Sequence, residues 1–371
     1  MNINRRDFLK ILGTTGIAAA GLAYADLARP WINFDESVKV NKMKNADKIK
    51  TDKKMDLIHY ATLAASGHNT QPWLFSIDRN HIDIHADMTR RLPVVDPQDR
   101  ELWISLGCAL ENLLIAAREA GYSTAVTYPD TDDHIAIELT EDLPAHSELF
   151  DAIPLRQNTR CLFDGKALPG EDLTRLQTMP LEPGINCVFL QGTSTLSIAA
   201  DFIRRGTLIQ YAEKEFLHEL VQWLRFNKKE ALTSMDGLYS RCSGNPEVPR
   251  FIGRWFVEGT KPEQQAGTDA QKVMSSSGIV VIASATDTCS DWVRAGQVYE
   301  RLTLMMTSMN IRSALLNQPL EVAEMRSPFG HAIGLENEKP QLLLRFGYAE
   351  LMPASMRRPV EQLIEIKKEL L

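Results

Sequence analysis

One alignment inside the chain limits its fold more than any other feature. Trp103, Gly107, Glu111 and Leu113 match Trp292, Gly296, Glu300 and Leu302 at a single offset of 189 residues, with no gap. Two amphipathic helices share leucines through periodicity alone, but an aligned Trp, Gly and Glu does not follow from helical spacing. The first helix is predicted from Leu102, Leu106, Ala109, Leu110, Leu113 and Ala117, and its pattern stops near Gly121. The second begins near Asp291. The match predicts an internal duplication of about half the chain. Gly107 and Gly296 lack a Cβ, so two such helices could approach closely where they cross.

Strand-like runs occur in both halves: Phe75–Ile84 and Ile135–Leu139 in the first, and Ile185–Leu190, Gly278–Ala283 and Gln341–Phe346 in the second. The expected class is α+β, with central helices flanked by mixed or antiparallel sheets. The expected boundaries are 56–150 and 151–371. A formal charge of −7 argues against nucleic acid as a partner. Cys108, Cys161, Cys187, Cys242 and Cys289 are odd in number and form no C-x-x-C pair, and the histidines are scattered. No metal centre is predicted, and disulfides are left open.

Residues 1–30 read as a targeting segment. Arg5-Arg6-Asp7-Phe8-Leu9-Lys10 is a twin-arginine pattern, with Asn4 where serine or threonine is more usual. A modestly apolar run, Ile11 to Leu22, and the small-residue site Ala23-Tyr24-Ala25 follow. The expectation is export through the twin-arginine machinery to the periplasm or cell envelope. The competing reading is a basic amphipathic helix belonging to the fold. Residues 31–55 read as a linker or peripheral arm.

Two polar segments carry the candidate chemistry. Ser66-Gly67-His68-Asn69-Thr70-Gln71-Pro72-Trp73 is a turn between a helical and a strand-like run. Its amides and hydroxyl suit a flat, heteroatom-rich ring, though they also suit a solvated turn. Arg156-Gln157-Asn158-Thr159-Arg160 places two arginines four apart, either on one helical face or flanking a turn. Such a pair binds phosphate bidentately or faces solvent. No G-x-G-x-x-G follows a strand, so a separate dinucleotide site is not expected.

The Ser66–Trp73 turn resembles the flavin-contacting turn of the nitroreductase family, with Ala65 where relatives usually have proline. The family consists of FMN-dependent homodimers with flavin at the subunit interface. Arg156 to Arg160 resembles its R-x-S-x-R signature, with Asn158 for serine, and Met356-Arg357-Arg358-Pro359 resembles its closing basic pair. The whole is similar to the Acg-like FMN-binding branch, in which two halves are fused. The resemblance implies a single-chain pseudo-dimer, monomeric in solution, with FMN as cofactor. Ser66, Asn69 and Gln71 would meet the ring. Arg156, Gln157, Asn158 and Arg160 would hold the phosphate and pyrimidine edge, with one of Arg357 and Arg358 at the phosphate. Lys50–Asp56 shows no arginine signature, and Leu181–Asn186 lacks the glutamine and tryptophan. Only one complete combination survives, so one FMN per chain is expected and the other interface should be a remnant.

Between the halves' core elements, 216–256 alternates aromatic and arginine residues: Trp223, Arg225, Phe226, Arg250, Phe251, Trp255 and Phe256. This insertion reads as a lid over the flavin or as an ordinary helical excursion. The expected function is an FMN-dependent oxidoreductase, passing electrons from an unnamed donor to a nitro- or quinone-like acceptor. Its alternative is an FMN-sequestering protein without nicotinamide-driven turnover. A structural protein without flavin is the third reading.

Overall fold

In chain order the strands are Trp73–Ile77 (β1), His81–Ala86 (β2), Tyr122–Thr127 (β3), His134–Glu141 (β4), Ile185–Leu190 (β5), Leu224–Arg225 (β6), Leu238–Tyr239 (β7), Gly278–Ser284 (β8), Arg312–Leu315 (β9), Lys339–Gly347 (β10) and Ile364–Glu365 (β11). They belong to a computed structural model that describes residues 53–129 and 134–365. Five strands form a sheet in the order β11-β1-β2-β4-β3, antiparallel except at the parallel β11–β1 edge. Four form an antiparallel sheet, β5-β8-β10-β9. The short β6 and β7 pair within the insertion. The fold is α+β.

Burial explains which runs were readable. Phe75, Ile82, Ile84, Ile135 and Ile137 alternate onto the covered face of the first sheet and are fully buried. Strand β8 is buried at every position. Its Val280 and Ile282 face the central cluster, while Ile279, Val281 and Ala283 face a second cluster built on Leu196, Ile203 and Phe329. A strand covered on both faces loses alternation and becomes an unbroken apolar run.

Between the sheets, the helix Arg100–Glu119 crosses the helix Cys289–Ser308. A Cβ on Gly107 would lie 2.0 Å from the Val293 carbonyl oxygen, and one on Gly296 would lie 2.0 Å from that of Ile104. Each glycine is therefore required by the backbone of the opposite helix. The Cys108 thiol donates to the Gly296 carbonyl at 3.4 Å in the same crossing.

Several features depart from expectation. The run Phe75–Ile84 is a hairpin of two strands, β1 and β2. The sequence reading lacks β3, β9 and β11. Strand β3 has no fully buried face to signal it. Strand β11 leaves the second half and joins the first sheet, so 56–150 and 151–371 are not separate sheets. The helix Lys53–Thr62 opens inside the stretch expected as linker. The targeting segment 1–30 and residues 31–52 lie outside the described residues. Among the described residues, no helix is long and apolar enough to cross a membrane.

Asp287 fastens the start of the second crossing helix. It accepts from Arg326 Nη1 at 2.7 Å and Nη2 at 3.0 Å, from Trp292 Nε1 at 2.7 Å and from Gln341 Nε2 at 2.9 Å. Burial would raise its carboxyl, but these donors outweigh it and hold the group at about 2 instead of 3.8. A depressed folded pKa adds stability above the unfolded value, and that stability is lost as pH falls through the folded one. Asp287→Asn should lower the urea midpoint at pH 7, and the gap to wild type should close as pH falls from 3.8 towards 2. Equal gaps at both ends would show that Asp287 acts without its charge.

Candidate functional site

The turn after the first helix is fixed by unusual backbone geometry. His68, Asn69 and Gln71 have φ of 47°, 55° and 53°, a region that non-glycine residues enter only when their surroundings impose it. The imposing contacts are visible. Gln71 N–H donates to Ser66 Oγ at 3.1 Å, and Gly67 N–H to Ser105 Oγ at 3.2 Å. Asn69 Nδ2 donates to the carbonyls of Gly237 at 3.0 Å and Met356 at 3.2 Å, while its Oδ1 accepts from Arg357 Nη1 at 3.0 Å. Gln71 Nε2 donates to the Met235 carbonyl at 3.0 Å, and its Oε1 accepts from Arg358 N–H at 2.8 Å.

The arginine signature is extended rather than helical. Asn158 bridges Ser313 in parallel, and Thr159 N–H donates to the Ser313 carbonyl at 2.9 Å. Side chains of an extended segment alternate, which places Arg156, Asn158 and Arg160 on one side. Gln157 points elsewhere and accepts from Met352 N–H at 3.0 Å. Thr159 is fully buried.

These five arginines and amides serve different ends. Arg156 Nε lies 2.8 Å from Glu300 Oε1, with side chains 3% and 0% exposed. Arg156 Nη2 and Arg357 Nη2 both donate to the Leu63 carbonyl, at 3.3 and 3.1 Å. Burial, then the charge of Arg156, pushes the Arg357 guanidinium down to about 10. Arg358 faces Asp87 at 3.6 Å. Arg160 differs: among the described residues no carboxylate pairs with it, and it lines a cavity with Ser66, Gly67, His68 and Asn158. Asn158 Oδ1 accepts from Tyr299 OH at 2.9 Å. His68 Nδ1 is buried and has no hydrogen-bond partner among the described residues. Burial and then the Arg160 charge lower this imidazole to about 4, so it is neutral at pH 7.

The structure thus brings Ser66, Asn158 and Arg160 to one cavity. It commits Asn69, Gln71, Arg156, Gln157, Arg357 and Arg358 to protein contacts around that cavity. Sequence reasoning reads His68 only as a hydrogen-bonding side chain of the turn and gives it no role at the cofactor. It misses Glu101, Lys272 and Glu321, which also line the cavity and carry no local motif. Glu300 was visible only as a member of the repeat.

The insertion is seated on the turn. Beyond the Met235 and Gly237 contacts, Asp236 pairs with Arg90 and, at 2.6 Å, with Arg225 Nη2. Arg90 and Arg225 both lie over the Trp223 ring, at 5.3 and 5.8 Å. Removing one partner leaves two cations unpaired. Asp236→Ala should speed limited proteolysis within 224–249 at least tenfold while the rest of the chain resists. An unchanged cleavage rate would mean that Asp236 does not hold the insertion down.

Glu111, which the 189-residue offset aligns with Glu300, is held differently. Arg301 binds Glu111 at 2.7 Å and Glu182 at 2.7 Å, Tyr128 OH donates to Gln297 at 2.8 Å, and Arg294 stacks 4.5 Å from the Tyr128 ring. Side chains of this chain satisfy one another there.

No family model matches the chain. Putative NAD(P)H nitroreductase Rv3131 of Mycobacterium tuberculosis (strain H37Rv) is 27% identical over 323 residues, spanning 84% of this chain and 90% of the relative. The chain is similar to putative nitroreductases over most of its length. Putative NAD(P)H nitroreductase acg of the same strain is 24% identical over 336 residues, 86% of this chain and 97% of the relative. Among solved structures, an FMN-bound nitroreductase from Desulfitobacterium hafniense aligns at 12% identity and a TM-score of 0.37, covering 60% of this chain and 98% of that one. A nitroreductase-like protein from Bacillus cereus aligns at 15% and 0.36, covering 61% and 99%.

Proposed function

We propose that this cavity binds FMN and that the chain is an FMN-dependent oxidoreductase of the nitroreductase family, passing electrons to a small nitro- or quinone-like acceptor. The carrying observation is Arg160, which no carboxylate among the described residues pairs with, beside His68 Nδ1, which has no partner among them, in a cavity walled by Ser66 and Asn158. Unsatisfied buried polar groups are costly unless a ligand completes them. An anionic, heteroatom-rich cofactor supplies both an acceptor for the guanidinium and a donor for the neutral imidazole. Bound FMN would supply hydride chemistry; the protein contributes orientation and hydrogen bonds.

The reading includes a single-chain pseudo-dimer with one FMN. Its supports are the matched glycines at the helix crossing and the self-satisfied Arg301–Glu111–Glu182 cluster at the other interface. It also includes export of the folded, loaded chain, a proposal supported by Arg5-Arg6 and Ala23-Tyr24-Ala25. The cavity is partly open and measures about 250 Å³, below the ~300–1,000 Å³ of typical ligand sites. We infer that a flavin enters as the insertion lifts from the turn, where Gly237 and Met235 otherwise latch it to Asn69 and Gln71. That latch favours the second reading, FMN sequestration without nicotinamide turnover.

The test is Arg160→Ala. Having no ion pair to lose, it should keep the thermal midpoint of wild type while losing at least tenfold in FMN affinity, read by quenching of flavin fluorescence. A variant that binds FMN like wild type would remove Arg160 from the site. Anaerobic NADPH then separates the readings: bleaching of the loaded protein marks a reductase, and persistent yellow marks sequestration.

A further inference from the structure

Three acidic and three basic side chains line the cavity, but they are not evenly paired. Glu101 and Glu321 both line the cavity. Glu101 Oε2 lies 3.8 Å from where a Cβ on Gly67 would stand, directly against the turn. Its Oε1 accepts from Asn317 Nδ2 at 3.0 Å, and Glu321 Oε2 accepts from Gln210 Nε2 at 2.5 Å. Behind them lies Asp96, whose Oδ2 accepts from Leu102 N–H at 3.0 Å. Of these three acids, Arg100 pairs with Glu101 alone among the described contacts. Its Nη2 is 3.6 Å from Glu101 Oε1, and its other contacts go to the carbonyls of Gln341 and Leu320 and to Gln341 Oε1. Asp269, farther along the wall, has its own cation in Lys272 at 2.9 Å. Three buried or half-buried carboxyls with one guanidinium cannot all ionise at low cost. Two residues that line the cavity, His68 and Gln318, each carry a buried polar atom, Nδ1 and Oε1, with no hydrogen-bond partner among the described residues.

We propose that Glu321, backed by Glu101, holds a proton on the cavity wall and delivers it to an oxygen of the electron acceptor bound there. This rests on the oxidoreductase reading above. A quinone needs one hydride and one proton to become a hydroquinone, and the reduced flavin of that reading supplies only the hydride. The O–H bond of the Glu321 acid breaks, an O–H bond forms on the acceptor, and water returns a proton to the carboxylate. Burial first, and the neighbouring Glu101 charge second, raise the Glu321 carboxyl to about 8, so it is protonated at neutral pH. Asp96 is likewise raised to about 7 by burial and by Glu101.

The experiment uses the full chain loaded with FMN, reduced by dithionite and mixed with a water-soluble benzoquinone while flavin reoxidation is followed. In wild type the rate should fall as pH rises through about 8, where the acid loses its proton. Glu321→Gln, compared at saturating FMN, should react about 100-fold more slowly, with no such pH limb. A variant that keeps both rate and limb overturns the proposal. Should Glu321→Gln not fold, Glu101→Gln decides, because removing the neighbouring charge must move the limb to lower pH; an unmoved limb overturns it. Infrared difference spectra of the flavin-free chain give an independent reading. A carboxylic-acid carbonyl band at pH 6 should vanish by pH 10 in two steps, and Glu321→Gln should lose the step near 8 while keeping that of Asp96 near 7. If the Glu321 step is present but wild type takes up no FMN, the function reading fails and takes the handover with it. If FMN binds and the Glu321 step is missing, only the present inference fails.

Discussion

Gly296→Ala is expected to cost about 3–5 kcal/mol of folding stability, and Gly107→Ala about the same. The added methyl carbon would stand 2.0 Å from a carbonyl oxygen of the opposite helix, far inside van der Waals contact. That obstacle is backbone, so no rotamer change relieves it, and the two helices must separate. They carry the largest part of the central cluster, including Leu106, Leu110, Val298 and Leu302. Gly267→Ala is the control. It lies exposed within the helix Pro262–Met274, with no neighbouring atom within 4 Å of the new carbon. It should gain about 0.5–1 kcal/mol from lost unfolded-state freedom. Urea midpoints of the three variants check both signs. A Gly296→Ala chain within about 1 kcal/mol of wild type would mean the helices cross less tightly than described.

Glu300→Ala is the second large effect, about 3–5 kcal/mol, because it strands a buried guanidinium. Glu300 is fully buried against Arg156, and its Oε2 also accepts from Ala65 N–H at 3.3 Å, just before the turn. Its loss should therefore loosen the turn as well as the pair. Replacing both partners, as Glu300→Leu with Arg156→Met, should recover much of the loss, since an apolar pair leaves no unpaired charge. A double-mutant cycle gives the coupling; additive losses would show that the two charges do not depend on each other. The pair also separates the two signature arginines. Loss of Arg156 is expected in the denaturation curve, and loss of Arg160 in flavin binding.

The repeated Trp, Gly and Glu made the helix crossing readable, because close backbone approach leaves a direct mark in sequence. The strands with buried faces were readable for a similar reason: one or two covered faces impose alternation or an apolar run. Strand β11, two residues long, has too short a pattern to show. The site was half readable. The Ser66–Gln71 turn and the Arg156–Arg160 segment do meet, but four spacing residues suggested a helical face where the chain is extended. An extended segment gives Gln157 to the outside and Arg156 to Glu300. Glu101 and Glu321 reach the cavity from two helices far apart in sequence, and only the tertiary structure joins them. Asn69 and Gln71 carry the chemistry expected of ring contacts yet spend it on Met235, Gly237 and Arg358.

The parallel pairing of β11 with β1, which sets Phe75 opposite Ile364, has a consequence for how the chain is made. Phe75 N–H donates to the Leu363 carbonyl at 2.7 Å, so the edge of the first sheet is closed by nearly the last residues described. During vectorial synthesis β1 leaves the ribosome early and waits with an open edge until Leu363 emerges. Such long-range closure slows folding, and an open edge invites pairing with other chains. A holdase that shields β1 until Leu363 has emerged would protect the nascent chain at this open edge.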